Sequence, residues 1–528
     1  MRLTQSKSKP KPKPDVAHPE LRMRYAIVFV AASLAACAPV GPDFVRPEAP
    51  MQPAWLDAEL EQFAAATPEL ADWWKVLDDP VLDNLISIAH KQNTSLQIAG
   101  LRVIEAQASL QIALGNRYPQ TQALAGSATA IGKSGTDDDT PLSGLDFTQL
   151  SVGASASWEI DFWGKFRRGV EAADASLLAS IASYDEAMVL VTASVADIYV
   201  AIRSFEEQLQ LARDSLTIQE RSYEIVELLY RYGSSSELDA LQAHTLLLGT
   251  QAVVPQLEIG LQQAKNALSV LLGVAPADVS SLLAGSGKLP SIPASVAVGI
   301  PADMLRQRPD VRRAELQART QNAAVGIATA NLYPSFSLNG SLGLTSTDGN
   351  TDSGNLFGSD SIAYSAGASF VWPFLNYGRI RNDIRVQDAR LQQSLVNYQE
   401  TVLQAARETE DAMAALVGTQ RQDEILAEGV DEALRSAELS FLRYREGFAD
   451  YQRVLNAQQA LFGQQQRYAS NRGAVISSLI ALYRSLGGGW QTSTQRDYVD
   501  DDTRQEMEER SNWGDLLDNP PQTNREQP

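Results

Sequence analysis

The sequence predicts an α+β membrane protein: a trimer whose twelve-strand transmembrane β-barrel, four strands from each chain, continues into a barrel of long helices. Three observations predict it. The chain is duplicated, each copy holds two strand-like segments with one apolar face, and each copy holds a helical run far longer than a globular core needs. The duplication is read from anchors at a constant offset. Tyr118-Pro119 recurs as Tyr333-Pro334, 215 residues on, and Trp163-Gly164 recurs as Tyr377-Gly378, 214 on. Gly233, Leu241, Ala243 and Gly273 have counterparts at Gly447, Leu455, Ala457 and Gly487, all at 214. That period is too long for a solenoid repeat. Each copy reads helix, two strands, very long helix, turn, helix.

Alternation marks the strands. Leu150, Val152, Ala154, Ala156 and Trp158 alternate with Ser151, Gly153, Ser155 and Ser157. In the second copy Phe336, Leu338, Leu342 and Leu344 alternate with Ser337, Asn339, Ser341 and Gly343, and Tyr364, Ala366, Ala368 and Phe370 with Ser365, Gly367 and Ser369. Residues 121–130 carry a weaker version of the pattern. Strands of about 9–11 residues with one apolar and one small-polar face suit a lipid-facing barrel wall, although a half-buried sheet in a soluble domain has the same period. The joining segments, 131–148 and 345–360, are rich in Gly, Ser, Thr and Asp and suit solvated outer loops.

The helical runs favour the membrane reading. Residues 166–230 contain no proline and only Gly169 near the start. Val191, Val195, Ile198, Ile202, Phe205, Leu209, Ala212, Leu216, Tyr223, Val226 and Tyr230 keep a 4-3 spacing that only Gln219 interrupts. That is the seam of a supercoiled helix. The second copy keeps the phase from Leu391 through Leu395, Tyr398 and Val402 to Tyr444. At 1.5 Å per residue such a rod spans roughly 100 Å. Polar remaining faces suit a water-filled tube of helices. Four strands cannot close a membrane barrel, since the smallest use about eight. Three chains in cyclic symmetry supply twelve, whereas two would leave a bore filled by side chains.

At the N-terminus Arg22 and Arg24 precede an apolar run, 25–36, of 12 residues, which reads as a secretory signal and is too short to span a bilayer. Leu34-Ala35-Ala36-Cys37 resembles a lipobox, with N-acyl and S-diacylglycerol groups expected on Cys37 after cleavage. Ala38, rather than Asp, follows the cysteine and fits sorting to the outer membrane. Met1 and Met23 are both possible starts. Residues 1–36 carry seven basic and two acidic side chains, so the formal charge of −20 becomes −25 in the mature chain. So acidic an exported chain is a poor nucleic-acid binder. Cys37 is the only cysteine, so disulfides do not contribute, and no later run of apolar residues is long enough for a transmembrane helix.

Chemistry is sparse. Only His18, His90 and His244 occur, with no cysteine or second histidine at metal-ligand spacing, no phosphate-binding loop and no Gly-x-Ser-x-Gly elbow. No enzymatic activity, no catalytic residue, no metal and no cofactor beyond the Cys37 lipid are expected. Gly487-Gly488-Gly489 reads as a helix C-cap.

Asp72-Trp73-Trp74-Lys75 with Asp79-Pro80, the segment 298–311 containing Arg306-Gln307-Arg308-Pro309-Asp310-Val311, and Asn331-Leu332-Tyr333-Pro334-Ser335-Phe336 resemble outer-membrane factors of the TolC/OprM type, specifically NodT-like efflux lipoproteins. The resemblance covers residues 37–490. It implies a homotrimeric exit duct of a tripartite efflux system, lodged in outer-membrane lipid with a large periplasmic portion. A periplasmic adaptor and an inner-membrane pump are the implied partners. It further implies that Gly233, Ser234, Gly447 and Phe448, at the two helix reversals, form adaptor-docking turns at the periplasmic entrance. The family's aspartate in a Val/Leu-Leu-Asp-Ala motif is here Asn456, in Val454-Leu455-Asn456-Ala457, and Arg453 stands where some members carry a second acid. With Asp239 and Tyr444 these two form the implied gate. Asp239 is expected to pair with Tyr444 or Arg453 across neighbouring helices, or more plainly to cap its own helix.

The expected organisation is a lipoprotein signal, 1–36, then a lipidated segment and collar, 37–85. Two repeats follow, 86–275 and 302–490, separated by a loop-like linker, 276–301, that contributes to the collar. An acidic tail, 491–528, carries ten acidic and four basic side chains and is expected to be disordered. Two other functions fit the same residues: a conduit for type I protein secretion, and a structural periplasmic coiled-coil lipoprotein without a pore.

Overall fold

The computed structural model describes residues 39–48, 54–56, 63–64, 69–131, 147–285, 287–293, 296–298, 301–348, 356–491, 497–519 and 521. Cys37 and the signal lie outside them, as do most residues of the two expected outer loops. The element order repeats as the sequence predicts. The first copy runs through α1 (Pro80–Gln92), α2 (Thr94–Gly115), β1 (Thr121–Ile131), β2 (Phe147–Ile160), α3 (Lys165–Arg231) and α4 (Glu237–Leu272). The second runs through α5 (Pro309–Ala330), β3 (Ser335–Asp348), β4 (Ile362–Val371), α6 (Arg379–Arg445) and α7 (Tyr451–Ser485). Both α3 and α6 are 67 residues long. The chain divides into two compact units, one holding residues 1–43, 113–171 and 322–388, the other the remainder.

The first unit is built on one antiparallel sheet in the order β1-β2-β3-β4. Its register sorts the side chains completely. Ser127 faces Ser151, Ser151 faces Thr345, Ser155 faces Ser341 and Ser341 faces Ser365, so one face is a field of hydroxyls and glycines. Ser127–Ser151 and Ser341–Ser365 hydrogen-bond at 2.8 Å, and Ser157 donates to Asn339 at 2.8 Å. On the other face Leu124 meets Ala154, Ala154 meets Leu342 and Leu342 meets Tyr364. These apolar side chains are uncovered, with Tyr364 82% exposed. Both outer edges, on β1 and β4, lack a strand partner among the described residues.

Aromatic repeat anchors close the base of the sheet. Trp163 stacks on Tyr333 with centroids 4.5 Å apart and donates to the Pro334 carbonyl at 2.8 Å. The segment just beyond Cys37 is also pinned here. Val40 N–H donates to the Trp163 carbonyl at 3.0 Å, and buried Arg168 reaches Asp43 at 2.7 Å. A side chain at Gly41 would strike Gly326 at 2.5 Å, so only glycine fits that crossing.

The second unit is a helical bundle. Val191, Val195 and Ile202 of the α3 seam lie buried in the same core as Tyr398, Val402 and Ala405 of α6. α3 contains one window apolar enough to cross a membrane by composition, but 67% of that window is buried inside the chain, as befits a core seam. The residues that carried the family resemblance prove to be packing devices. Asp79 caps α1, accepting from Val81 N–H at 2.9 Å, and also takes the Tyr199 hydroxyl at 2.6 Å. Burial and that contact push the Tyr199 phenol up to about 12. Trp73 stacks on Tyr483 at 5.2 Å. Phe63–Ala64 pairs in parallel with Val296–Ala297, which joins the N-terminal collar to the linker. Gly488 N–H bonds the Tyr483 carbonyl at 2.9 Å, the C-cap expected of the glycine cluster.

The acidic tail differs from expectation. Residues 501–510 form a helix, α8 (Asp501–Arg510), capped by Asp500, whose side chain accepts from Thr503 N–H at 2.9 Å. Tyr498, Val499, Met507 and Leu517 are buried, and Tyr498 meets the Tyr184 ring edge-on at 5.1 Å. Tyr498 crosses α2 so closely that a Cβ on Gly100 would sit 1.9 Å from its carbonyl oxygen. Four spaced apolar side chains and a bare groove, rather than mean composition, decide the outcome.

Buried Arg308 ties three elements together: it bonds Asp310 at 2.7 Å, Glu408 at 2.8 Å and the Ser485 carbonyl at the end of α7 at 2.6 Å. Breaking a buried pair costs about 3–5 kcal/mol. Glu408 is partly exposed, so Arg308→Ala is expected to cost about 3 kcal/mol, the low end of that range. Its melting temperature should fall well below that of Arg407→Ala, which removes only an exposed pair to Asp411 at 3.9 Å.

Candidate functional site

The described residues hold no group of His, Cys, Asp or Glu able to bind a metal. His90 is buried against Trp74 and bonds Thr192 at 2.8 Å, and burial lowers its pKa. His244 stacks on Tyr223 at 4.8 Å. Both are packing side chains, and attention passes to the two helix reversals of the bundle.

The reversals share one backbone design. Ser234 N–H bonds the Leu229 carbonyl at 2.8 Å and Gly233 N–H the Tyr230 carbonyl at 2.9 Å. Phe448 N–H bonds Arg443 at 2.8 Å and Gly447 N–H bonds Tyr444 at 3.0 Å. These paired bonds require a left-handed residue at the helix end. Gly233 and Gly447 supply it at φ +75° and +79°. Phe448 projects outward, 83% exposed, and Tyr232, Leu238 and Leu241 are exposed nearby in sequence on the other hairpin. An apolar rim thus stands beside turns that carry free polar backbone.

Just inside the turns, one apolar cluster joins both hairpins. It contains Val226 of α3, Ala240 and Ala243 of α4, and Tyr451, Val454 and Leu455 of α7, with Tyr223, Leu246 and Tyr444 packed on it. Asp239 lies at its margin. Its carboxylate accepts from Ser236 N–H at 3.2 Å, Ser236 Oγ at 2.7 Å and Ser235 Oγ at 3.1 Å, while Ser236 Oγ caps Asp239 N–H at 3.2 Å. This is a capping box with Asp at its third position. Burial alone raises the Asp239 pKa, but the bonds from Ser236 and Ser235 outweigh it and leave the group below its ordinary value.

The structure therefore brings Asp239 and Tyr444 together through an intermediary. Ser235 hydrogen-bonds the Tyr444 hydroxyl as well as the Asp239 carboxylate. Burial, the larger effect, and the nearby Asp239 charge raise the Tyr444 pKa while Ser235 lowers it, with a net rise. Arg453 and Asn456 stand elsewhere, on the exposed face of α7. Arg453 lies 3.7 Å from Asp450, and Asn456 accepts from Gln452 at 2.9 Å. Within one chain Arg453 pairs with Asp450 rather than Asp239. Sequence reasoning missed Ser235 as the link, although Ser236-x-x-Asp239 is a readable capping signal. It also missed Tyr451, which bonds Ser222 at 2.8 Å.

A depressed carboxylate pKa means that the Asp239 cap contributes fully above the ordinary value of 3.8 and is lost as pH falls through the lower folded value. Hydrogen exchange of the first turn of α4 should accelerate below about pH 4 in the wild-type chain. Asp239→Asn should exchange faster at neutral pH and show no acid step.

The comparisons with known proteins follow this geometry. The family model for outer membrane efflux proteins matches the chain twice, over residues 85–274 and 300–488. The chain is 32% identical over 435 residues to the pyoverdine export outer membrane protein OpmQ of Pseudomonas aeruginosa, covering 81% of this chain and 89% of that one. It is 31% identical over 467 residues to the cation efflux system protein CusC of Escherichia coli O6:H1, covering 88% and 98%. Among solved structures, the outer-membrane channel OprN superposes with a TM-score of 0.79 at 30% identity, over 86% of this chain and 99% of that one. The place of such a chain is the outer membrane. It belongs to the outer membrane efflux protein family.

Proposed function

We propose that three copies of this chain form the exit duct of a tripartite efflux system. The observation that carries the reading is the sheet: hydroxyls on one face, uncovered apolar side chains on the other, and two unpaired edges. In hydrocarbon an open edge leaves backbone groups without partners, so the β4 edge of one copy pairs with the β1 edge of the next until twelve strands close. Hydroxyls then line a wet bore and Leu124, Leu342 and Tyr364 face lipid. The long helices of the three copies make the periplasmic tube. Cys37 carries the lipid anchor, and the clamp on residues 40–43 holds the chain just beyond it against the base of the sheet.

In this duct Gly233, Ser234, Gly447 and Phe448 form the edge on which a periplasmic adaptor docks, linking an inner-membrane pump to the exit. Asp239 and Tyr444 hold the hairpins together, while Arg453 and Asn456 line the narrow entrance. An amide and a guanidinium replace the family's carboxylates there, so the entrance lacks an acidic ring. Cargo is selected upstream, in keeping with relatives named for pyoverdine export and for cation efflux.

Two measurements test the reading. Purified protein in planar bilayers should show ion channels, with weaker block by multivalent cations than an acidic ring gives; absence of conductance would favour a structural lipoprotein. A photoreactive benzoyl-phenylalanine in place of Phe448 should capture an efflux adaptor in living cells. Capture of a secretion-type adaptor would move the assignment to type I protein export.

A further inference from the structure

Between α3 and α7, a few turns inside the reversals, a polar layer interrupts the apolar seam. Gln219 occupies a heptad position that is otherwise apolar, is 3% exposed, and donates its amide to Ser215 Oγ at 3.0 Å. One turn on, buried Ser222 shares a 2.8 Å hydrogen bond with the hydroxyl of Tyr451, itself 2% exposed. Gln458, two turns further along α7, reaches the same Ser222 oxygen with its amide at only 3.4 Å. The remaining side-chain oxygens, Gln219 Oε1 and Gln458 Oε1, are buried with no donor among the described residues.

Two unpaired acceptors in one buried layer are unusual, because folded proteins satisfy nearly all such groups. The clusters on either side, with Val226, Val454 and Leu455 toward the turns and Leu209, Ala212 and Leu257 away from them, make contacts without directional preference. They tolerate a small slide of α7 along α3, whereas the polar layer does not. A slide that carries the Gln458 amide from Ser222 toward Gln219 breaks the tyrosine bond and supplies donors to the orphaned oxygens.

We infer that this layer is a two-position clasp: the Tyr451–Ser222 bond holds α7 on α3 in the arrangement described, and the Gln219 and Gln458 amides take over the pairing when α7 shifts. Ser222, Tyr451, Gln219 and Gln458 are positioning residues for opening of the entrance. This role rests on the duct reading, since it is opening of a pore that the shift would serve.

The test compares full-length wild-type protein, Tyr451→Phe, Ser222→Thr and the double variant Gln219→Leu/Gln458→Leu in planar bilayers, with melting temperature measured alongside. Tyr451→Phe should raise the open fraction several-fold, and Ser222→Thr, which keeps the hydroxyl, should gate as wild type does. The double variant should melt higher yet open several-fold less often, because it removes the alternative pairing. If Tyr451→Phe does not assemble, the double variant decides alone. A double variant that melts higher but opens normally overturns the clasp while leaving the duct intact. A wild-type protein that never conducts overturns the duct reading and the clasp with it.

Discussion

Everything in this molecule depends on the two open edges of a four-stranded sheet. Each strand pair inside the sheet is fully registered, from Thr121 opposite Ser157 to Leu344 opposite Ile362. The outer sides of β1 and β4 have no such partner among the described residues. In water an edge of this kind is a liability; in a membrane each unpaired group costs several kcal/mol. The apolar face is just as demanding, because Leu342, Tyr364 and Phe370 are uncovered by anything in the chain. A single copy satisfies neither requirement. Lipid on one side and further copies at the edges satisfy both, which is why the proposed assembly follows from one chain's geometry.

The same logic explains why the residues that identify the family perform no chemistry. Asp79 caps a helix and holds Tyr199, Trp73 lies flat on Tyr483, and Arg308 gathers Asp310, Glu408 and the end of α7. These are fastenings around the collar of a long bundle. Rods of 67 residues held only by a heptad seam could slide, and buried polar fastenings fix their register. At the reversals the fastenings are lighter and local: a capping box, one serine between Asp239 and Tyr444, and a tyrosine on Ser222. Firm collars and lightly held tips suit a device whose end must move.

How far the sequence was legible follows the length scale of each signal. The strands and rods were readable because period 2 and period 3.5 are imposed along many residues by a continuous environment. The glycine turns were readable because a left-handed residue at a helix end admits few alternatives. The gate was only half readable. Its residues were found, but whether Asp239 would bond across helices or cap its own depended on where Ser235 and Ser236 point. The tail was misread, because Tyr498, Val499, Met507 and Leu517 are too widely spaced to form a periodic stripe. Gly100, nearly 400 residues away in sequence, makes their groove. The clamp on residues 40–43 was likewise hidden, since its partners Trp163, Arg168 and Gly326 belong to different repeats.

The most direct test of closure by edge pairing is a mass measurement on the intact particle. The full-length lipidated protein would be extracted in mild detergent and weighed by native mass spectrometry, with single cysteines placed in β1 and β4 to trap neighbouring edges. Three copies per particle, with disulfides forming only between β1 of one copy and β4 of another, is the result the account predicts. A folded particle of one or two copies, or a trimer whose β1 and β4 edges never cross-link, would contradict it.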